Sequence, residues 1–223
     1  LPKPSEGANK IGKTLQAALG IAHSTTKRNQ IGRFLINGTT SRPNSSERTN
    51  LFAKVATWKT SKVDSSSEFL NLVGGPSDKE GVSRSLFCTV GSKPLNGSNL
   101  ELRLDRQTSD LWEVLVDEDG GEQRLLNWPK EVLLDKIKEK ILPQVIVSCE
   151  NSAGLFLVRQ ISVFDDPRPS RFFELLEDGA ITLDHLISRS ESSGAVTEKG
   201  PLFKIRNSAR SRLYDSYRIM DWR

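Results

Sequence analysis

Residues 32–42 read G-R-F-L-I-N-G-T-T-S-R. A short apolar run followed by a polar, glycine-containing segment predicts a β-strand over residues 31–36 and a loop over residues 39–49. Neither this stretch nor the ten residues before it contains an aspartate or a glutamate. The absence matters because a strand that enters a Mg²⁺-dependent active site carries carboxylates, the ligands that this hard cation prefers.

Further segments surround this strand: G-K-T-L-Q-A-A-L-G at 12–20, R-T-N-L-F-A-K-V at 48–55, I-T-L-D-H-L-I at 181–187 and E-K-G-P-L-F-K-I at 198–205. Together they resemble the MvaI/BcnI family of restriction endonucleases, relatives of the mismatch-repair nickase MutH. The resemblance covers most of the chain. It implies an α/β (α+β) fold, with a restriction-endonuclease-like central mixed β-sheet flanked by helices. It also implies a DNA cleft between a catalytic-type lobe and a recognition lobe.

The catalytic motif of the resembled family is degenerate here. In that family the strand reads roughly D-x-x-G-x-E-L-K, a PD-(D/E)xK signature, and a glutamate stands in the preceding helix. When this motif is aligned with the sequence, Gln30 and Leu35 occupy the positions of the two metal-binding acids, and Asn37 occupies the position of the lysine. The helix glutamate falls at Gln16. The resemblance therefore implies a pseudonuclease, with no catalytic residue at these positions and no metal cofactor, whose fold is kept for DNA recognition.

The competing interpretation is an active type II endonuclease that uses relocated acids, and only this alternative needs Mg²⁺. A helix predicted over residues 62–73 places Asp64 and Glu68 four positions apart on one face. Glu101 and Asp105 are further candidates. Such a carboxylate pair is more often a solvated helix face than a metal site.

Charge is segregated along the chain. Residues 1–50 contain eight lysines and arginines against two acids, whereas residues 101–150 contain seven against twelve, within a net charge of +4. A basic region attracts phosphate and repels free Mg²⁺. Because charge alone is weak evidence for nucleic acid, a protein-binding remnant that uses the acidic middle stays a third hypothesis.

The tail of the chain is the predicted recognition region. In the resembled family, the segment equivalent to residues 181–205 lies over the DNA and reads base edges. Arginine and lysine can read guanine, while acidic side chains accept from the cytosine amino group. The candidate DNA-binding residues are Arg42, Arg48, Lys54, Asp184, His185, Arg189, Lys199, Lys204 and Arg206.

Several of these residues also fit structural roles. His185 has apolar neighbours, which is typical of a buried and hydrogen-bonded histidine, and Asp184 could brace the following loop. Lys204 and Arg206 alternate with apolar residues, so they share the exposed face of a strand that contacts either DNA or solvent.

A phosphate-loop pattern at residues 7–14, G-A-N-K-I-G-K-T, has a different explanation. A working phosphate loop follows a buried strand, whereas L-P-K-P-S-E precedes this one. We therefore expect the segment to open a helix over residues 13–20 rather than to bind ATP.

The 223 residues are enough for one compact domain. We expect an N-terminal linker at 1–10, a degenerate nuclease core lobe at 11–125, and the remaining core with the recognition lobe at 126–223. Leu1 in the first position is compatible with a piece of a longer protein. Double-stranded DNA is the expected partner, together with an effector or catalytic protein of the same defence system.

Two cysteines without C-x-x-C spacing, Cys88 and Cys149, predict buried structural thiols rather than a disulfide framework or a zinc site. The sequence shows no long apolar run and no secretory signal. These features favour a cytoplasmic protein with no membrane association.

Overall fold

The structure is a computed structural model that describes residues 10–21, 31–40, 47–94, 97–153 and 155–222. The helices are α1 Lys10–Ala18, α2 Ser66–Val73, α3 Lys130–Lys140 and α4 Arg171–Glu177, with 3₁₀ turns at Trp58–Thr60 and Asn207–Leu213. The strands are β1 Leu35–Thr39, β2 Arg48–Ala53, β3 Gly75–Pro76, β4 Val82–Val90, β5 Leu100–Leu104, β6 Leu111–Val116, β7 Glu122–Trp128, β8 Gln144–Ser152, β9 Leu155–Pro167, β10 Ile181–Ser190, β11 Val196–Glu198, β12 Leu202–Arg206 and β13 Tyr214–Asp221.

Contacts divide the chain into two compact units that interleave in sequence. Unit 1 comprises Leu1–Glu47, Ile141–Pro169 and Arg206–Arg223, and unit 2 comprises Arg48–Lys140 and Ser170–Ile205. The linker and lobes expected from the sequence at 1–10, 11–125 and 126–223 stay a prediction.

Unit 1 is built on a mixed sheet in the order β1-β8-β9-β13, in which β1 runs parallel to β8 and the other pairs are antiparallel. One face packs against α1, where Leu15 meets Ile36, Val147, Cys149 and Phe156. Alternation along β1 therefore sends Ile36 into this core and leaves Leu35 and Asn37 together on the opposite face.

The predicted start of β1 is wrong by four residues. Ile31 and Phe34 pair through two backbone hydrogen bonds of 3.0 and 3.3 Å, and Gly32 between them has a φ of +55°. That left-handed conformation suits glycine and makes a tight turn. The strand consequently begins at Leu35, whose N–H donates to the carbonyl of Pro143 over 2.9 Å.

Unit 2 contains a larger sheet in the order β2-β12-β10-β4-β3, with β11 paired to β10, and a separate antiparallel sheet β5-β6-β7. Its core holds an aromatic cluster in which Phe203 lies 5.1 Å from Phe52, 5.6 Å from Phe172 and 5.9 Å from Trp128, measured between ring centroids. This cluster joins β2, β12, α4 and the end of β7. The predicted mixed α and β composition is confirmed.

Both cysteines are free and lie in different sheets, Cys88 on β4 and Cys149 on β8. Burial raises the pKa of the Cys88 thiol to about 12 and raises that of Cys149 as well. Both thiols therefore stay protonated, although only Cys149 is buried as predicted and Cys88 is half-buried. Within the described ranges, no helix has the length and apolar character needed to span a bilayer.

Candidate nucleic-acid interface

The strand expected to carry catalysis presents no metal ligand in unit 1. Leu35 is buried, with 9% of its surface exposed, and Asn37 two residues later is exposed. Gln16 is half-buried on α1, whereas Gln30 lies outside the described residues. A leucine side chain has no lone pair, and a neutral amide is a poor substitute for the carboxylates that hold Mg²⁺.

The side chain of Asn37 instead joins a polar network. Its Nδ2 donates to Oε1 of Gln144 on β8 over 3.4 Å, and Nη1 of Arg210 donates to the same oxygen over 3.4 Å. Gln144 Nε2 donates to the hydroxyl of Tyr214 over 2.5 Å, and that hydroxyl donates to the carbonyl of Leu142 over 3.2 Å. Amides, a phenol and a guanidinium thus occupy this face of the sheet.

A divalent metal does not fit the described part of the chain. Across those residues, no group of three or more His, Cys, Asp or Glu side chains is arranged to hold a cation. Asp165 pairs with Arg33, and Glu150 pairs with Arg159 at 2.8 Å, so these unit 1 carboxylates are ion-paired on the surface. These two carboxylates are therefore engaged by arginines.

Glu68 bonds the backbone of Asp64 beside the N-terminal cap of α2. Helix α2 starts at Ser66, after Asp64, so the predicted pairing of these two carboxylates on one helical face is not formed. Ser65 Oγ accepts from the N–H of Glu68 over 3.2 Å, and Glu68 Oε2 accepts from the N–H of Asp64 over 2.6 Å. The Ser65 contact is one half of a capping box, but the glutamate here accepts from Asp64, the residue before the N-cap, so the Glu68 carboxylate has a structural use at the start of α2.

Glu101 and Asp105 are also engaged locally. Glu101 is 5% exposed, although its charged neighbours along the alternating strand favour a solvated face, and it pairs with Arg103. Asp105 accepts the N–H groups of Gln107 and Thr108 and pairs with Arg124 at 2.6 Å. The two backbone hydrogen bonds and Arg124 lower the pKa of Asp105 to about 2. Both carboxylates therefore have structural partners.

The large sheet of unit 2 carries an ionic cluster on the face opposite its core. Asp184 on β10 is its centre, with an 11% exposed side chain. Arg48 on β2 donates to Asp184 Oδ1 over 2.5 Å, and Lys204 on β12 lies 2.7 Å from Oδ2. Thr89 on β4 donates to Oδ1 over 2.8 Å. Four neighbouring strands thus contribute one side chain each.

This cluster has a net charge of +1 and keeps its acid ionised. Burial acts to raise the pKa of Asp184, but hydrogen bonds from Lys204, Arg48 and Thr89 outweigh burial and hold it below its usual value. Arg48 also donates to Thr182 Oγ1 over 2.8 Å. The carboxylate fixes both cations in place, so the arrangement offers oriented donors to an anionic or base-edge ligand.

His185 lies in the interior of unit 2, so its predicted DNA contact is wrong. Its side chain is 1% exposed and its Nε2 lies 2.9 Å from Oε2 of Glu113 on β6, which is fully buried. The Phe69 ring packs at 5.1 Å. Burial lowers the pKa of His185, but the charge and hydrogen bond of Glu113 raise it further, so the net shift is upward. The residue forms an interior ion pair, as its apolar neighbours indicated.

The remaining predicted contacts differ in accessibility. Lys199 and Arg206 are exposed. Lys204 and Arg206 share the outer face of β12, and the residues that alternate with them, Phe203 and Ile205, are fully buried, as the alternation indicated. Lys54 is half-buried. Arg189 is tied to α2 through a 2.9 Å hydrogen bond to Ser67. Arg42 lies outside the described residues.

Sequence reasoning missed two features. Phe87 on β4 is 55% exposed. It pairs with Leu186 on β10, two residues along both strands from the Thr89–Asp184 pair. Leu86 is buried, and neighbouring residues of a strand point to opposite faces, so Phe87 points outward. This alternation could have been recognised in the sequence. Arg210 and Gln144 gave no local signal, because their proximity depends on the pairing of distant segments.

Known proteins resemble this chain in both sequence and fold. A profile described as the MvaI/BcnI restriction endonuclease family matches residues 2–214. Among solved structures, the restriction endonuclease MvaI in complex with its cognate DNA substrate aligns with a TM-score of 0.72 and 16% identity, over 98% of this chain and 91% of that one. MvaI in the absence of DNA aligns with a TM-score of 0.63 and 18% identity, over 93% and 87%. No curated protein sequence matches significantly. The fold is that of MvaI.

Proposed function

The chain belongs to the MvaI/BcnI restriction endonuclease family, and on this basis we propose that it is a sequence-specific double-stranded DNA-binding protein without cleavage activity of its own. The observation that carries the proposal is the pair Leu35 and Asn37 on β1, which stand where the family carries a metal-binding acid and a lysine. An apolar side chain and an amide cannot hold the Mg²⁺ that activates water and neutralises charge on the phosphate.

DNA binding is supported by the ionic cluster of Arg48, Asp184 and Lys204 on the large sheet of unit 2. A purely basic patch mainly holds phosphate, whereas a cluster of both signs can also read donors and acceptors on base edges. The exposed ring of Phe87 lies on the same face, where it could contact the thymine methyl group. The solved complex of the similar MvaI protein with its cognate DNA supports the same choice of partner.

Loss of the carboxylates also favours binding. Residues 32–42 contain no acid, so β1 offers no negative charge to repel a DNA backbone. A domain of this kind would act as a target sensor beside a separate effector or catalytic protein, since binding alone breaks no bond.

The alternative, a Mg²⁺-dependent endonuclease with relocated acids, has less support. The carboxylate of Glu68 accepts the N–H of Asp64 at the start of α2, and the carboxylate of Asp105 is held by two backbone N–H groups and Arg124. A carboxylate committed to such contacts is not free to bind a cation without breaking them.

The proposal is tested by duplex binding in the presence of EDTA. Fluorescence anisotropy with a labelled random-sequence duplex pool, followed by selection and sequencing, should give salt-sensitive binding and an enriched target. Arg48→Met should lower the affinity for the selected duplex, while Arg171→Met, outside the cluster, serves as the matched control. Absence of binding to any duplex at low salt would refute the proposal.

A further inference from the structure

Arg210 is a buried cation in unit 1 next to the degenerate strand. Its surface is 8% exposed, and among the described residues its side chain makes a single hydrogen bond, the 3.4 Å contact to Gln144. A guanidinium carries five N–H donors, and a buried charge is stable only when it is paired or well hydrogen-bonded. Arg210 therefore has donor capacity that Gln144 does not use.

The described part of the chain provides no anion to balance this charge. None of its carboxylates forms an ion pair with Arg210, whereas Arg168 pairs with Asp215 and Arg33 with Asp165 in the same unit. The phenol of Tyr214 acts electrostatically on Arg210, but burial raises the pKa of that phenol to about 12, so it is neutral at physiological pH. Burial lowers the pKa of Arg210, which is the mark of a cation that has lost its solvent.

The network that holds Arg210 reaches the surface at the former catalytic strand. Asn37 is exposed, and its Nδ2 and Nη1 of Arg210 lie within 3.4 Å of the same oxygen, Oε1 of Gln144. Asn37 occupies the position of the family's catalytic lysine. The unbalanced charge is therefore adjacent to the place where a scissile phosphate would meet a nuclease of this fold.

We propose that Arg210, with the amides of Asn37 and Gln144, forms a metal-independent site for a backbone phosphate of duplex DNA. The proposal rests on the DNA-binding function proposed above. The planar guanidinium fork matches two phosphate oxygens, and an amide N–H adds a third donor. The site stabilises the negative charge that a metal would otherwise neutralise, but it supplies no activated water, so it binds without cutting.

The first test measures duplex affinity and its salt dependence for wild type, Arg210→Met and Arg218→Met in EDTA. Arg218 is exposed on β13 in the same unit, so its variant makes the same chemical change away from the network. Arg210→Met should bind all duplexes roughly tenfold more weakly, the scale of one charge-assisted hydrogen bond. Its slope of log affinity against log salt should be smaller by about 0.9, the value for one lost phosphate contact.

The second test uses inorganic phosphate in place of DNA. Phosphate should raise the melting temperature of wild type and of Arg218→Met, but not of Arg210→Met. If phosphate stabilises all three proteins equally, the site is not a phosphate site. If phosphate has no effect but Arg210→Met loses DNA affinity, the contact is specific to the polymeric ligand and the proposal stands for DNA.

A variant at an exposed position tests the same site even if Arg210→Met does not fold. Asn37→Asp places a carboxylate beside the same Gln144 oxygen, where it can form an ion pair with Arg210 and cancel its charge. Asn37→Ser adds no charge. Asn37→Asp should weaken duplex binding and abolish phosphate stabilisation, and Asn37→Ser should do so much less.

The outcomes separate the two proposals. If wild type binds no duplex, the DNA-binding function fails. If wild type binds a duplex, while Arg210→Met matches Arg218→Met and Asn37→Asp matches Asn37→Ser in affinity and salt slope, this inference alone is overturned.

Discussion

The guanidinium of Arg48 on β2 donates two hydrogen bonds to the carboxylate of Asp184 on β10, over 2.5 and 3.4 Å. Lys204 reaches the same carboxylate from β12. Asp184 therefore acts as a brace for two cations on neighbouring strands, a role that differs from the loop bracing that its sequence context suggested. Its buried carboxylate is better placed to orient Arg48 and Lys204 than to meet a base edge by itself.

Replacing Asp184 with asparagine should separate affinity from specificity. Asp184→Asn releases Arg48 and Lys204 and raises the charge of the cluster, so affinity for random-sequence duplex should rise several-fold while discrimination between a selected and a scrambled duplex falls. Competition anisotropy measures both. Asp119→Asn, on the exposed turn after β6, is the matched control, and equal behaviour of the two variants would contradict the bracing role.

The buried pair His185–Glu113 should dominate the stability of unit 2. His185→Leu leaves the Glu113 carboxylate buried without its partner, and should lower the free energy of unfolding by about 3–5 kcal/mol. The double variant His185→Leu with Glu113→Leu removes both charges and should recover most of this loss. Urea denaturation near neutral pH measures the difference, and a single variant as stable as wild type would show that the pair is not coupled.

The same pair predicts the direction of a pH effect. Because the pKa of His185 is raised in the folded protein, the stabilisation is fully present below the unfolded value of about 6.5 and is lost as pH rises through the folded value. The stability difference between wild type and the double leucine variant should therefore shrink as the pH rises above the unfolded value, in urea titrations at each pH. A difference that grows with pH would show that His185 folds as the neutral imidazole.

Gly38 should be required for the packing of α1 on β1. A Cβ at this position would collide with the side chain and carbonyl carbon of Ile11, so Gly38→Ala must displace the helix. The expected loss of stability is about 1–3 kcal/mol, typical of overpacking. Gly12→Ala, inside α1 with open space around it, should instead be neutral or stabilising. Equal urea midpoints for the two variants would contradict this packing.

Local periodicity predicted much of the secondary structure. Leu100, Leu102 and Leu104 alternate with charged residues, a pattern that predicts a strand, and the structure has β5 at Leu100–Leu104. Pro129 followed by apolar residues at helical spacing predicts a helix over residues 129–141, close to α3 at Lys130–Lys140. Strands β7 and β13 were not predicted, because Glu122–Trp128 begins with polar residues and Tyr214–Asp221 mixes charged with apolar ones.

The candidate sites depended on distant contacts that no local pattern contains. The substitutions at Leu35 and Asn37 were visible because a motif has fixed spacing. Arg210 and Gln144 meet only after residues 66 positions apart are brought together, and Asp184 meets Arg48 across 136 positions. His185 was compatible with either surface or core until Glu113, on another sheet, supplied its partner.

The most direct measurement is DNA cleavage by the purified chain. Mixed-sequence plasmid DNA incubated with Mg²⁺ or Mn²⁺ should remain intact at protein concentrations that saturate binding in EDTA, because β1 lacks the ligands for the metal. Discrete fragments that require the divalent ion, disappear with chelator and are lost in a variant of this polypeptide's own acids, such as Asp64→Asn with Glu68→Gln, would contradict the account.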